Sequence, residues 1–168
     1  VEGAAPAWTV EFGRGCTFNC RFCGEPYTWR HHMAFRDPVK VVDDIEHVFT
    51  EYGIKMLLMS CTDMLYDLDR LEVFILEMEK RRLVERGFGG FLSLVRTDSI
   101  VKAEKLIAPL VKVGWRFAIV GTESNDDDTL EYVNKQNTVD TNVRAQEILH
   151  DANLALILLL HLVGLPIH

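Results

Sequence analysis

The sequence predicts an α/β fold, a parallel sheet assembled from strand–helix units, on three observations. Short apolar runs alternate strictly with longer amphipathic stretches along the 168 residues, the order that crossover connections between parallel strands require. The short runs are near-continuously apolar rather than alternating. That suits strands covered by helices on one face and closed around a filled or ligand-bearing interior on the other. Polar, charged or small residues follow every run, on the rim where parallel α/β folds gather their chemistry.

The elements follow in order. Trp8 to Phe12 reads as the first strand and leads into a cysteine loop. Asp37-Pro38 is an N-cap with proline at the first helical position. Val41, Val42, Ile45, Val48, Phe49 and Tyr52 keep helical spacing until Gly53 ends the helix. Ile54 to Met59 is a buried strand. Asp67 opens a second helix with Leu68, Leu71, Phe74, Ile75 and Met78 on one face, closing near Gly87. Phe91 to Val95 is the third strand. Ser99 to Val113 is helical, with Ile100, Ala103, Leu106, Ile107 and Leu110 inward, and Gly114 stops it. Trp115 to Val120 is the fourth strand. Ser124-x-x-Asp127 resembles a capping box opening a helix that carries Leu130 and Val133. A further helix covers Asp140 to Asp151, and Leu154 to Val163 is the fifth strand.

Composition bounds the function. The net charge of −7 argues against a phosphate-backbone partner, which would want a basic face. Three of the four cysteines are clustered, which suits metal or cluster ligation in a reducing compartment better than a disulfide framework. The longest apolar run, Leu154 to Leu160 extended to Val163, falls short of the roughly 20 residues a bilayer span needs. No basic-then-apolar leader opens the sequence. A cytoplasmic location is the expectation. The chain opens on Val1 and closes on Gly164-Leu165-Pro166-Ile167-His168 directly after an apolar strand, so residues 1–168 are expected to be one domain excised from a longer protein.

The cysteine string is Cys16-Thr-Phe-Asn-Cys20-Arg-Phe-Cys23-Gly, just after the first strand. Three thiolates at this spacing can hold a four-iron cluster and leave one iron without a protein ligand, whereas four would close the cluster for electron transfer alone. A structural zinc site, with a fourth ligand from Cys61, His31 or His32, is the other reading. Zinc sites more often use paired Cys-x-x-Cys units and rarely sit at the top of a parallel sheet.

With Phe22 in the aromatic place, Cys-x-x-x-Cys-x-aromatic-Cys resembles the motif of the radical S-adenosylmethionine superfamily. That resemblance implies a partial parallel (βα) barrel of the radical SAM type, with about five of six strand–helix units in this chain. It implies a 4Fe-4S cluster on Cys16, Cys20 and Cys23. The open iron would chelate the amino and carboxylate groups of S-adenosylmethionine, whose reductive cleavage gives a 5′-deoxyadenosyl radical. A flavodoxin- or ferredoxin-type reductant would supply the electron.

Further cofactor-binding roles follow at the strand ends. Glu123 would bind the amino group or the ribose hydroxyls; its plain alternative is a surface carboxylate at a helix N-terminus. Arg96 would fix a carboxylate as a fork of donors, or else make an ordinary rim ion pair. Gly121, beside Thr122, lets backbone approach the ligand or simply turns the chain. Gly164 and Pro166 would shape the adenine edge, or else only turn the chain. Asp126, Asp127 and Asp128 read as dipole-complementing acids rather than a metal site. His31 and His32 read as solvated rather than facing the substrate, His161 as a core residue rather than a ligand, and Cys61 as a small buried filler rather than a redox or cluster residue.

More of the chain is similar to the cobalamin-binding branch of that superfamily. The strings are Arg14 to Cys23, Trp29-Arg30, Arg36-Asp37-Pro38, Lys40 to Glu46, Gly121-Thr122-Glu123, Asn134-Lys135 and Thr138-Val139. Together they look most like the anaerobic magnesium-protoporphyrin IX monomethyl ester cyclases. That implies oxygen-independent closure of the isocyclic ring of a Mg-tetrapyrrole, with Tyr27 and Trp29 available to stack on the flat substrate. It also implies a cobalamin-binding domain upstream, because no Asp-x-His-x-x-Gly ligand motif occurs here. Two alternatives stand beside it: a cobalamin-dependent radical methyltransferase, and a non-catalytic zinc or iron–sulfur binding module.

Overall fold

The structure is a computed structural model that describes residues 7–160. Five strands form one parallel sheet in the order β1 (Ala7–Glu11), β4 (Met56–Ser60), β5 (Gly90–Arg96), β6 (Trp115–Glu123) and β7 (Ala155–Leu160). Every neighbouring pair is parallel and consecutive along the main path. Helices α2 (Pro38–Tyr52), α3 (Leu68–Arg81), α4 (Thr97–Lys102), α5 (Glu104–Lys112), α6 (Asp127–Tyr132) and α7 (Val139–Asp151) make the crossovers. The fold is the α/β class that the alternation predicts.

Strand alternation separates two faces. Val10, Leu57, Met59, Phe91, Val95, Ala118 and Val120 are buried in one core with the apolar stripes of α2, α3 and α5. Phe74 of α3 anchors that core, with edge-on contacts to Phe12 and Phe91 at ring-centroid distances of 5.4 and 5.8 Å. The opposite face carries Leu58, Leu92, Leu94 and Ile119, all only partly buried, and Phe117, which is exposed. This second face is the apolar interior that the near-continuous strands foretell.

Helix ends follow local chemistry. Asp37 and Asp67 cap α2 and α3 by accepting backbone N–H bonds, and Gly53 closes α2 in the left-handed conformation. Elsewhere the boundaries move. The second helix ends at Arg81, not near Gly87, because Arg82 turns left-handed there and turns fill the gap. The stretch expected as one helix from Ser99 is two, α4 and α5, starting at Thr97 and broken at Ala103. At α6 the cap is Asp126, whose carboxylate accepts from Thr129 N and its hydroxyl. Ser124 instead accepts from Asp126 N, so the expected Ser124 capping box gives way to an aspartate that reaches further into the first turn. The fourth strand runs three residues beyond Val120, which makes Gly121, Thr122 and Glu123 strand residues.

The segment between β1 and α2 holds structure the sequence did not announce. β2 (Gly13–Gly15) and β3 (Met33–Phe35) pair antiparallel, with α1 (Glu25–Thr28) between them. Gly15 is obligatory in this hairpin: its φ is +92°, and a Cβ there would lie 2.0 Å from the His32 carbonyl oxygen. Gly164, Pro166 and His161 lie outside the described residues.

Candidate functional site

The cysteine loop hangs from the hairpin and is tied down on both sides. The Thr62 hydroxyl, just past β4, donates to the Gly15 carbonyl. Thr17 donates to the Tyr66 hydroxyl at 3.2 Å. Across the rim, Arg21 N donates to Val133 O at 2.9 Å and Asn134 Nδ2 to Asn19 O at 2.9 Å. The loop thus bridges the segment after β4 and the end of α6 without secondary structure of its own. Cys23 N donates to Cys20 O in the turn between the second and third cysteines.

Cys16, Cys20 and Cys23 line one cavity of about 190 Å³ at the carboxyl ends of β5 and β6. Phe22, Arg96, Gly121 and Glu123 line the same cavity, so seven residues singled out from sequence meet at one place. Thr122 does not join them. It is buried on the helix side of β6, where its carbonyl accepts from Asn142 Nδ2 at 3.1 Å. A second cavity of about 370 Å³ shares Glu25, Thr62 and Leu94 with the first and extends past Arg14 and Trp29.

The electrostatics of the cavity are built from buried pairs. Glu123 is 6% exposed and its carboxylate accepts from Lys135 Nζ at 2.9 Å. The reading of Glu123 as a surface carboxylate therefore fails, because extending β6 carries the residue inward. Its φ of +66° is costly for a side chain with a Cβ. Gly121 makes room for this pair: a Cβ there would stand 2.8 Å from Glu123 Oε1 and 2.9 Å from Lys135 Nζ. Arg96 is also buried, and Nε donates to Asp98 at 2.8 Å while Nη2 donates to the Lys135 carbonyl at 2.8 Å. Its ion pair is hence not an ordinary solvated one.

Lys135 is the functional candidate that residue-by-residue reading missed. It entered only inside the string Asn134-Lys135, since a lone lysine after a helix carries no signal of burial. Placed 12 residues beyond Glu123, it returns to the cavity because α6 is short and turns back at Val133.

The donor set fits a polynuclear cluster. Among the described residues no three His, Cys, Asp or Glu side chains converge closely enough to hold one ion. His31 and His32 are exposed, and the Cys61 thiol donates to the Asp63 carbonyl at 3.4 Å, pushed up to about 12 by its burial. Three thiols on one cavity suit a cubane, in which each thiolate meets a separate iron, better than a single tetrahedral ion. Burial pushes the Cys16 thiol up as well, so ligation there releases a proton. Asp126, Asp127 and Asp128 serve as cap and first turn of α6, with Asp127 accepting from Val139 N.

Comparison with known proteins agrees with this geometry. The family model described as "Radical SAM superfamily" matches residues 10–167. The anaerobic magnesium-protoporphyrin IX monomethyl ester cyclase of Rubrivivax gelatinosus is 33% identical over 141 residues, covering 83% of this chain and 24% of that protein. The enzyme of the same name from Cereibacter sphaeroides is 30% identical over 84% of this chain and 22% of its own length. The chain therefore spans about a quarter of these relatives. Among solved structures, the cobalamin-dependent S-adenosylmethionine radical enzyme OxsB with aqua-cobalamin bound superposes with a TM-score of 0.75 at 21% identity, covering 89% of this chain and 23% of that one. The radical S-adenosylmethionine methyltransferase TsrM from Kitasatospora setae gives 0.74 at 15% identity, covering 92% and 30%. At such identities the likeness is one of fold.

Proposed function

The chain belongs to the radical SAM superfamily, and from that premise we propose that it binds a 4Fe-4S cluster through Cys16, Cys20 and Cys23 and cleaves S-adenosylmethionine reductively. The observation that carries this reading is the meeting of the three thiols with Phe22, Arg96, Gly121 and Glu123 on one cavity. When bound, the cluster supplies the electron that splits the sulfonium into methionine and a 5′-deoxyadenosyl radical.

The chain's own residues hold and enclose the ligand. Glu123 offers a buried carboxylate to a cationic amino group or to ribose hydroxyls, and Lys135 Nζ holds it in place from the cavity wall. Phe22 and the apolar Leu94 and Ile119 exclude water from one wall. The adjoining cavity, with Trp29 on its border, provides space for a substrate beside the site of cleavage.

The reaction we propose for the whole protein is anaerobic oxidative cyclisation of a Mg-tetrapyrrole, supported by the two relatives at 33% and 30% identity that bear that name. The cobalamin-binding domain would then be supplied by sequence upstream of this domain. A second reading, cobalamin-dependent radical methyl transfer, is open to the same cysteine string and strand-end residues.

Anaerobic reconstitution with iron and sulfide tests the cluster assignment. Four irons per chain and 5′-deoxyadenosine on reduction with S-adenosylmethionine are expected. Cys20→Ala should lose both with the fold intact, and cleavage unchanged in that variant would defeat the assignment. Methyl-labelled S-adenosylmethionine separates the two substrate readings, since only the methyltransferase places label in product.

A further inference from the structure

We propose that Arg96 raises the reduction potential of the cluster by donating a charge-assisted hydrogen bond to the sulfur of Cys20; this rests on the cluster reading above and adds to it a positioning residue for the electron.

The guanidinium is held in place on every side. Nε is committed to Asp98 Oδ1 at 2.8 Å and Nη2 to Lys135 O at 2.8 Å. The flat face lies on the Phe18 ring, 3.6 Å from its centroid. With edge and face both fixed, Nη1 has one direction left, and it points at Cys20 Sγ at 3.8 Å. Cys20 and Arg96 are both buried, 5% and 6% exposed, so water does little to screen the charge. Phe18 comes from the cysteine loop, Asp98 from the first turn of α4 and Lys135 from beyond α6. Three separate segments therefore spend contacts on aiming one cation at one thiolate. A guanidinium meant to swing onto a diffusing ligand would keep more of its donors free.

The consequence concerns one electron. A reductant of the flavodoxin or ferredoxin type gives a single electron, and no proton moves because arginine stays protonated. Reduction adds negative charge that is shared with the sulfur ligands. A fixed donor on one of those sulfurs favours the reduced form, and hydrogen bonding to sulfur is among the factors that set cluster potentials. Asp98 sits on the far side of the fork and offsets part of the charge. It does not reach the sulfur.

The test is a potentiometric titration of the anaerobically reconstituted chain, followed by the paramagnetic signal of the reduced cluster. Arg96→Gln should shift the one-electron equilibrium at least tenfold toward the oxidised form, a midpoint lower by about 59 mV, with iron and sulfide content unchanged. The double variant Arg96→Gln/Asp98→Asn restores the net charge of the parent and should still titrate below it. Should Gln alone lower cluster content by leaving Asp98 with Lys102 as its remaining cationic partner among the described residues, the double variant supplies the comparison. Coincident titrations of parent and variants, each with a full cluster, would overturn the inference and leave the cluster reading intact. So would a double variant that returns to the parent midpoint, since the shift would then be net charge alone. A parent chain that takes up no iron and sulfide would remove both.

Discussion

Asp63 is the group whose removal should change stability most predictably with pH. It stands just past β4, 2% exposed, with Leu65 N donating to one carboxyl oxygen and Ser99 Oγ to the other. Burial pushes it up to about 6 from the usual aspartate value of 3.8, against the opposing pull of Ser99 and Arg96. The folded chain therefore keeps this proton to higher pH than the unfolded chain. Unfolding releases it between about pH 4 and pH 6, so stability falls as pH rises through that window and levels off above about pH 7. At about 1.36 kcal/mol for each tenfold displacement of an acid equilibrium, the fall amounts to about 3 kcal/mol. Asn in its place can accept from Leu65 N and donate to Ser99 Oγ without ionising. Urea unfolding of the metal-free chain and Asp63→Asn at pH 4 and pH 8 isolates the effect. The stability difference between variant and parent should grow by about 2 kcal/mol in the variant's favour on going from pH 4 to pH 8, the rest of the fall lying below pH 4, where the unfolded chain's carboxyl begins to ionise. Differences that stay parallel across that range would refute the reasoning, because they would mean that Asp63 ionises in the fold as it does in the open chain.

Three other outcomes follow from the site and the sheet. Gly121→Ala drives a Cβ to within 3 Å of both partners of the Glu123–Lys135 pair; it should cost about 1–3 kcal/mol in thermal or urea unfolding and weaken S-adenosylmethionine binding measured by calorimetry on the reconstituted chain. Lys135→Met removes the buried ammonium from the Glu123 carboxylate and should cost about 3–5 kcal/mol; Glu123→Gln/Lys135→Met should recover most of that stability, and a double variant no better than the single would show that the pair is not the cause. Ser93 in the middle of β5 buries a hydroxyl that has no hydrogen-bond partner among the described residues, so Ser93→Ala should be neutral or stabilising by about 1 kcal/mol, checked by the urea midpoint.

Most residues of the candidate site were legible because short motifs encode local geometry. The cysteine spacing, the aspartate caps before Pro38 and Leu68, and the apolar strand runs each constrain a few neighbouring residues, and local constraint survives any tertiary arrangement. Legibility failed where distant segments decide. The Gly13–Gly15 and Met33–Phe35 hairpin is too short to show a period, and its register depends on Gly15 passing beneath the His32 carbonyl. The break at Ala103 and the left-handed Arg82 lack the glycine or proline that would mark them. Thr122 sits within the Gly121-Thr122-Glu123 string, yet the pleat turns it to the helix side.

By itself the sequence determined the strand–helix order, the capping of α2 and α3, and the presence of three thiols on one loop, since each depends on residues a few positions apart. Only the tertiary structure decided that Glu123 is buried against Lys135, that Gly121 leaves them room, and that Arg96 is clamped with one N–H facing Cys20. Those contacts join residues up to 76 positions apart, and burial turns them from weak surface pairings into interactions strong enough to set the properties of the site.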